Sequence, residues 1–262
     1  MSRFAKLFRE PKAVVGVIHL PPLPGYEASP GIDRVVAKAL SDLRALEAGG
    51  VDGVLVENED DRPHRVEAAK ETVAAMTRVA RELVLAARKT VVGVEILLND
   101  PEASLAAAAM SGASFIRTDY FVDPMARPEH GGPMRIDPEG LLRYRRSLGS
   151  DSILILADVQ VKYAHMLVER SLADSARLAR EAGADAIVVT GTRTGEPPSP
   201  AELAEARRGA GDLPVLVGSG FSSSNARTLL SFADGAIVGT SLKRGDGIDR
   251  EKVRALLLEA RH

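Results

Sequence analysis

The chain has 262 residues, 45% of them apolar and 27% charged, with a formal net charge of -2 and no cysteine. That balance is globular rather than disordered; it excludes disulfides, thiolate metal sites and a cysteine nucleophile, and it argues against a general electrostatic grip on nucleic acid. No apolar run approaches the ~18 residues of a membrane span and the start of the chain lacks a signal-peptide core, so the sequence reads as a cytoplasmic protein.

In chain order, "MSRFAKLFREP" (1–11) places Phe4, Leu7 and Phe8 on one helical face. Residues 1–12 read as a short helix or cap packed on the body, with peripheral membrane contact as the alternative. "VVGVIH" (14–19) is a buried strand that runs into three prolines within four positions. Pinned between that strand and the first long helix, the proline segment reads as a stiff pocket wall that holds His19 inward, not as a displayed proline-rich ligand.

Four stretches then echo one another: "EAGGVDGVLVEN" (47–58), "MSGASFIRTD" (110–119), "EAGADAIVVTG" (181–191) and "SFADGAIVGT" (231–240). Each is a helix end, a small turn and a near-continuously apolar strand, the pattern of a parallel sheet covered on both faces. Further strands are expected at Val14–His19, Val91–Leu97, Ser152–Asp158 and Pro214–Gly218, which makes eight. Helical stripes lie between them, at Val36, Ala39, Leu40 and Leu43; at Ala226, Leu229, Leu230 and Ala233; and at Val253, Leu256, Leu257 and Ala260. Eight strands alternating with helices predict a (β/α)8 TIM barrel as one domain over residues 1–262, with a doubly wound open sheet as the alternative. "LLRYRRSL" (141–148) reads as a solvated or subunit-interface helix, and His165 as a helix residue near the site.

A barrel gathers function where strands end. "GSG" (218–220) and "GTS" (239–241) close the seventh and eighth strands. Gly218, Ser219, Gly220, Gly239, Thr240 and Ser241, with Lys243 near, therefore form a candidate phosphate cradle of backbone N–H groups. The competing reading gives the glycines only tight turns and makes Ser222 or Ser223 a helix cap. In "ILADVQVKYAH" (155–165), period two puts Asp158, Gln160 and Lys162 on one side, where a carboxylate beside a lysine could serve acid–base or Schiff-base chemistry. Glu57 with Asn58, Asn99 with Asp100, Arg117 with Asp119, and His19 also close or follow strands. Glu95 interrupts an apolar run; a buried carboxylate is costly unless paired, and Arg117 is the expected neighbour, whether for structure or for catalysis. No cofactor is required by the sequence, although His19, Glu57, Glu95 and Asp158 would suit an oxygen-rich divalent metal site. The loop at 119–136 is long and rich in Pro and Gly, the composition of a lid or binding loop.

With these motifs placed, the chain resembles the BtpA family (BtpA/SgcQ, a photosystem I biogenesis protein family). "GVIHLPPLPG", "DGVLVEN", "GVEILLND", "FIRTD", "LLRYRRSL", "ADVQVKYA", "TGTRTGEPP", "GSGFSSSNA" and "ADGAIVGTSLK" follow in the family's order over nearly the whole chain. The resemblance implies a barrel of the ribulose-phosphate-binding type. Glu95 stands where the family usually has asparagine, Tyr163 where histidine is frequent, and the 119–136 loop differs. Nothing in the chain indicates a photosynthetic host, so the photosystem role is not carried over. The expected function is an enzyme on a small phosphorylated, phosphosugar-like metabolite, an isomerase or a lyase/aldolase, with Asp158, Lys162, Glu57, Glu95 and His19 as catalytic candidates. The alternative is a non-catalytic assembly factor. Homo-oligomers are compatible with either.

Overall fold

Strands that are apolar on both faces need cover on both, and a closed parallel sheet inside a ring of helices supplies it. In the computed structural model, which describes residues 2–261, the short helix α1 (Arg3–Leu7) precedes strand β1 (Ala13–His19). There follow α2 (Ile32–Gly49), β2 (Gly53–Glu57), α3 (Lys70–Ala86), β3 (Val91–Glu95), α4 (Pro101–Ser111) and β4 (Phe115–Thr118). The second half runs α5 (Pro138–Ser147), β5 (Leu154–Val159), α6 (Leu172–Glu181), β6 (Ala186–Val189), α7 (Pro200–Ala210), β7 (Val215–Val217), α8 (Ala226–Leu230), β8 (Gly235–Val238) and α9 (Arg250–Ala260). The eight strands pair in sequence order and β8 closes on β1, so the barrel replaces the open-sheet alternative. His19, Glu57 and Glu95 are in-register neighbours on β1, β2 and β3.

Period two sorts strand residues into two cores. Outward residues such as Val14, Ile18, Val54, Val56, Ile116 and Ile155 pack under the helices. Inward residues, among them Val15, Val17, Leu55, Phe115, Leu156, Val188, Leu216 and Ile237, fill the barrel together with Phe4 and Phe8. Phe8 stacks 4.5 Å from Phe4 and edge-on to Phe115 at 5.6 Å. Phe115 occupies the space of a missing side chain: a Cβ on Gly93 would lie 2.1 Å from its ring. The amphipathic start of the chain is therefore the floor plug of the barrel, and Phe4 and Phe8 are not available for membrane contact. Among the described residues no helix is long and apolar enough to cross a membrane.

Several local expectations need correction. The buried face of α2 is Val35, Ala39, Asp42, Leu43 and Leu46, with Val36 and Leu40 half-buried at its side. Asp42 enters that face because Lys38 pairs with it at 2.5 Å and the Ile248 amide donates to it. β3 stops at Glu95 rather than Leu97, because the Ile96 amide turns to Ser104 Oγ and the Leu97 amide to Asn58 Oδ1. His165 is not helical; it sits in a short strand, exposed, beside Ala126. In the 141–148 segment Arg145 is tied to Asp185 and the Ile153 carbonyl, while Arg143 pairs with Glu139 at the surface.

Phe8→Ala removes a fully buried ring from the plug. Denaturant unfolding should show a loss of about 3–5 kcal/mol; a loss under 1 kcal/mol would mean that the plug is not packed as described.

Candidate active site

At the C-terminal mouth the inward layer changes character. Below it the barrel is apolar; at the rim the inward positions are His19, Glu57, Glu95, Arg117 and Asp158, with glycines at 218 and 239. Glu57, Glu95, Arg117 and Asp158 are all at most 6% exposed. Arg117 organises them. Its Nε and Nη2 bind both oxygens of Asp158 at 2.8 and 2.9 Å. Its Nη1 faces Glu57 at 3.6 Å and Glu95 at 3.7 Å, beyond hydrogen-bond length. His19 Nε2 lies 3.5 Å from Glu57. Glu57 Oε1, Glu95 Oε1 and His19 Nδ1 are buried with no hydrogen-bond partner.

Three carboxyl groups around one guanidinium cannot all be ionised cheaply. Burial alone would lower the Arg117 pKa, but Asp158 and then Glu95 reverse this and keep it cationic. Burial pushes Glu57 up, yet contact with His19, the charges of His19 and Arg117, and contact with Glu95 outweigh it and hold Glu57 at about 2. Glu95 goes the other way. Burial, joined by the charges of Asp119, Glu57 and Asp158, raises it well above the carboxylate range against the pull of Arg117. One ionised and one neutral carboxyl thus flank the free edge of Arg117.

Above this floor lies a cavity of about 800 Å³, lined by His19, Glu57, Glu95 and Arg117 below and by loop residues around it. Gly218–Gly220 and Gly239–Ser241 all reach it, as do Lys162, Thr194, Arg127 and Lys243. The two glycine loops are one unit, since Ser241 Oγ donates to the Phe221 carbonyl at 2.7 Å. Ser219 Oγ links them to the sixth loop, accepting from the Gly191 amide and donating to the Glu196 carbonyl. Among the described residues the amides of Ser219 and Gly220 have no hydrogen-bond partner. Neither Ser222 nor Ser223 caps α8; Asn225 brackets the turn by accepting from the Ser222 amide and donating to the Gly220 carbonyl. Gly220, at φ +63°, abuts Glu196 and Pro197 so closely that a Cβ would lie 2.2 Å from the Pro197 nitrogen.

The structure separates the remaining candidates. Asp158 does not line the cavity; it stands behind Arg117 and fixes it. Gln160 leaves the expected side because the strand ends at Val159 and Gln160 turns to φ +48°. Its amide side chain then reaches the Arg170 carbonyl and Ser175. Lys162 does reach the mouth, on a loop past the strand end and followed by Tyr163 at φ +65°. Asn58, Asn99 and Asp100 are structural: Asn58 bonds Asp61 and the Leu97 amide, Asn99 the Arg135 carbonyl, and Asp100 caps α4. Asp61 in turn accepts from the Leu23 amide at 2.7 Å. That bond, with Leu20 and Leu23 fully buried, turns the proline loop away from the cavity. His19 points inward as expected, but the prolines are not its wall. The 119–136 loop forms a small antiparallel sheet with residues 165–166 over its own core of Leu98, Tyr120, Met125, Met134 and Val161. It contributes Asp119 and Arg127 to the mouth. Sequence reasoning missed Arg127, Thr194 and the second-loop residues Glu59 and His64; only their place in polar βα loops could have flagged them. Among the described residues no group of three or more His, Asp or Glu side chains is arranged to hold a metal ion; the arginine stands among these carboxyl groups.

Fold and mouth together define a (β/α)8 barrel with a polar, partly unsatisfied site at the carboxyl ends of its strands, beside paired glycine loops. The chain belongs to the BtpA family, whose model matches residues 10–262. It is 38% identical to an uncharacterised protein of Archaeoglobus fulgidus, over 95% of this chain and 99% of that one. It is 39% identical to the photosystem I biogenesis protein BtpA of Synechocystis, over 95% and 88% of the two chains. Among solved structures it is similar in fold to (S)-3-O-geranylgeranylglyceryl phosphate synthase of Thermoplasma acidophilum, solved with sn-glycerol-1-phosphate. There the TM-score is 0.62 at 16% identity, covering 98% of this chain and 96% of that one.

The two glutamates predict opposite pH effects. An unfolded Glu95 ionises above about pH 4.5, while the folded one keeps its proton. Its contribution is therefore whole below that pH and is lost as pH rises toward the raised folded value. Each pH unit in that interval costs about 1.4 kcal/mol, roughly 2–4 °C of Tm at this size. Glu95→Gln should melt with the parent near pH 4 and above it at pH 7. Glu57 contributes stability that is present above about 4.5 and lost as pH falls toward 2, so Glu57→Gln should melt lower at pH 7. Parallel melting curves for Glu95→Gln and parent across pH 4–8 would contradict the neutral assignment.

Proposed function

We propose that this protein is an enzyme that binds a small phosphorylated, phosphosugar-like compound across the barrel mouth. The phosphate rests on the Gly218–Gly220 and Gly239–Ser241 loops, and the far end is worked on at the floor by acid–base chemistry. The observation that supports this best is that Glu57 and Glu95 each carry one buried oxygen with no hydrogen-bond partner, beside Arg117 and beneath a cavity whose wall carries the unbonded amides of Ser219 and Gly220. An unsatisfied buried polar group costs about 1–3 kcal/mol, a burden that a bound substrate relieves. The synthase of similar fold, solved with sn-glycerol-1-phosphate, points the same way.

Two other forms are weaker. A Schiff base at Lys162 requires that lysine to be desolvated at the reacting centre, whereas it is half-exposed on the rim. An assembly factor, suggested by the name of the Synechocystis relative, has no use for converging carboxyl groups under a cavity.

Thermal melts with matched pairs of phosphorylated and dephosphorylated sugars test the reading. The phosphorylated member should raise Tm, by the equivalent of about 2.7 kcal/mol at a hundred times Kd. Thr240→Asp, which adds a negative charge at an exposed mouth position, should remove that rise with little change in its own Tm. Equal stabilisation by the dephosphorylated member, or a rise retained in Thr240→Asp, would defeat the phosphate assignment.

A further inference from the structure

The floor restricts the chemistry further. Arg117 spends two of its three nitrogens on Asp158, and the third, Nη1, stops short of both glutamates. Arg117 lines the cavity beside both carboxyl groups, so Nη1 is free to donate to one ligand oxygen there. A carboxylate or phosphate oxygen there would meet ionised Glu57, and an ammonium would meet Arg117. A neutral carbonyl or hydroxyl oxygen meets neither objection.

On either side of that oxygen stand a proton donor and a base. Glu95, raised by burial and by its anionic neighbours, keeps its proton. His19 lines the cavity with its Nε2 3.5 Å from Glu57, which its surroundings hold ionised, while its Nδ1 is sealed in the wall without a partner. A base oriented by a carboxylate that is itself too acidic to take the proton is the usual division of labour in such pairs. The phosphate loops abut this floor: a Cβ on Gly239 would lie 2.8 Å from the His19 ring, and one on Gly218 would lie 3.4 Å from Arg117 Nη2.

We propose that the floor enolises a phosphorylated α-hydroxy carbonyl compound whose reacting carbons lie within two or three bonds of its phosphate ester oxygen. His19 takes the proton from the carbon that bears the hydroxyl group. The C–H electron pair becomes a C=C bond, and the carbonyl π pair moves to the oxygen held by Arg117, which receives the proton of Glu95. In the return step the neighbouring hydroxyl gives its proton to Glu95, and His19 delivers its own to the other carbon. The product is the isomeric α-hydroxy carbonyl, with atoms balanced and no co-reactant. Glu57 and Asp158 are positioning residues for His19 and Arg117. The proposal rests on the phosphate assignment above.

The probes are inorganic phosphate, dihydroxyacetone phosphate, and phosphoglycolohydroxamate as a neutral enediol mimic. Calorimetry on the full chain should show the hydroxamate binding at least tenfold tighter than inorganic phosphate. Proton NMR in D2O should show deuterium entering the hydroxymethyl carbon of dihydroxyacetone phosphate. Glu95→Gln and His19→Gln should each slow that wash-in by about 100-fold or more and still bind inorganic phosphate as the parent does, which also shows that they are folded. Glu57→Asp should shift the pH profile of wash-in, which a merely structural role would leave in place. If none of the three probes binds, the phosphate assignment and this proposal fall together. If phosphate binds but the hydroxamate is no tighter and no deuterium enters, enolisation is wrong while the phosphate site stands. Wash-in that survives in both glutamine variants also overturns the proposal.

Discussion

The mouth of this barrel depends on one buried guanidinium. Arg117 projects inward from β4 at a height where Glu57, Glu95 and Asp158 also project inward. Removing ions from water costs several kcal/mol each, and the carboxyl groups would not share this layer without a central cation. Asp158 fixes the cation with two charge-assisted bonds, the geometry that an arginine, unlike a lysine, can satisfy. One positive charge cannot balance three negative ones, so the group furthest from compensation, Glu95, keeps its proton. The asymmetry between Glu57 and Glu95 is thus a consequence of counting charges in a confined space.

The same constraint explains the architecture around the mouth. The polar layer is affordable because the layers beneath it are dry: Phe115, Leu156, Val188 and the Phe4–Phe8 plug close the barrel from below. Glycine at 239 leaves room for the His19 ring, and glycine at 218 for Val188 and Thr190 beside Arg117, so the glycine loops and the polar floor share one surface. Around this surface, loops two and three are braced by Asn58 and Asp61, and loops four and five by Asp123, which accepts from the Gln160 amide and Ser175. A firm rim around a few unsatisfied polar atoms is the arrangement of a site organised before its ligand arrives.

Much of this was legible in the residues. Apolar strands repeated after glycine-terminated helices specify a parallel barrel, and the barrel places strand-end residues such as His19, Glu57 and Glu95 together, because strand register and inward period are fixed by burial. Loop geometry was not legible. Gln160 follows the alternation of its neighbours in sequence, yet a left-handed backbone turns it toward Ser175. Asp158 reads as a reacting group by position, and only the bidentate bond to Arg117 shows that it works from behind. The prolines after His19 read as a wall because stiffness is visible in sequence, whereas the burial of Leu20 and Leu23 that turns them away is a tertiary fact.

The central claim is that the Arg117 cluster holds two glutamates in opposite protonation states. It is tested most directly by 13C NMR of the side-chain carboxyl groups in protein labelled at glutamate, titrated across pH and assigned through Glu57→Gln and Glu95→Gln. The Glu57 resonance should already be that of a carboxylate at the lowest pH at which the protein stays folded. The Glu95 resonance should remain that of a carboxylic acid well above the ordinary glutamate range. Two resonances titrating together near the ordinary value of about 4.3 would contradict it.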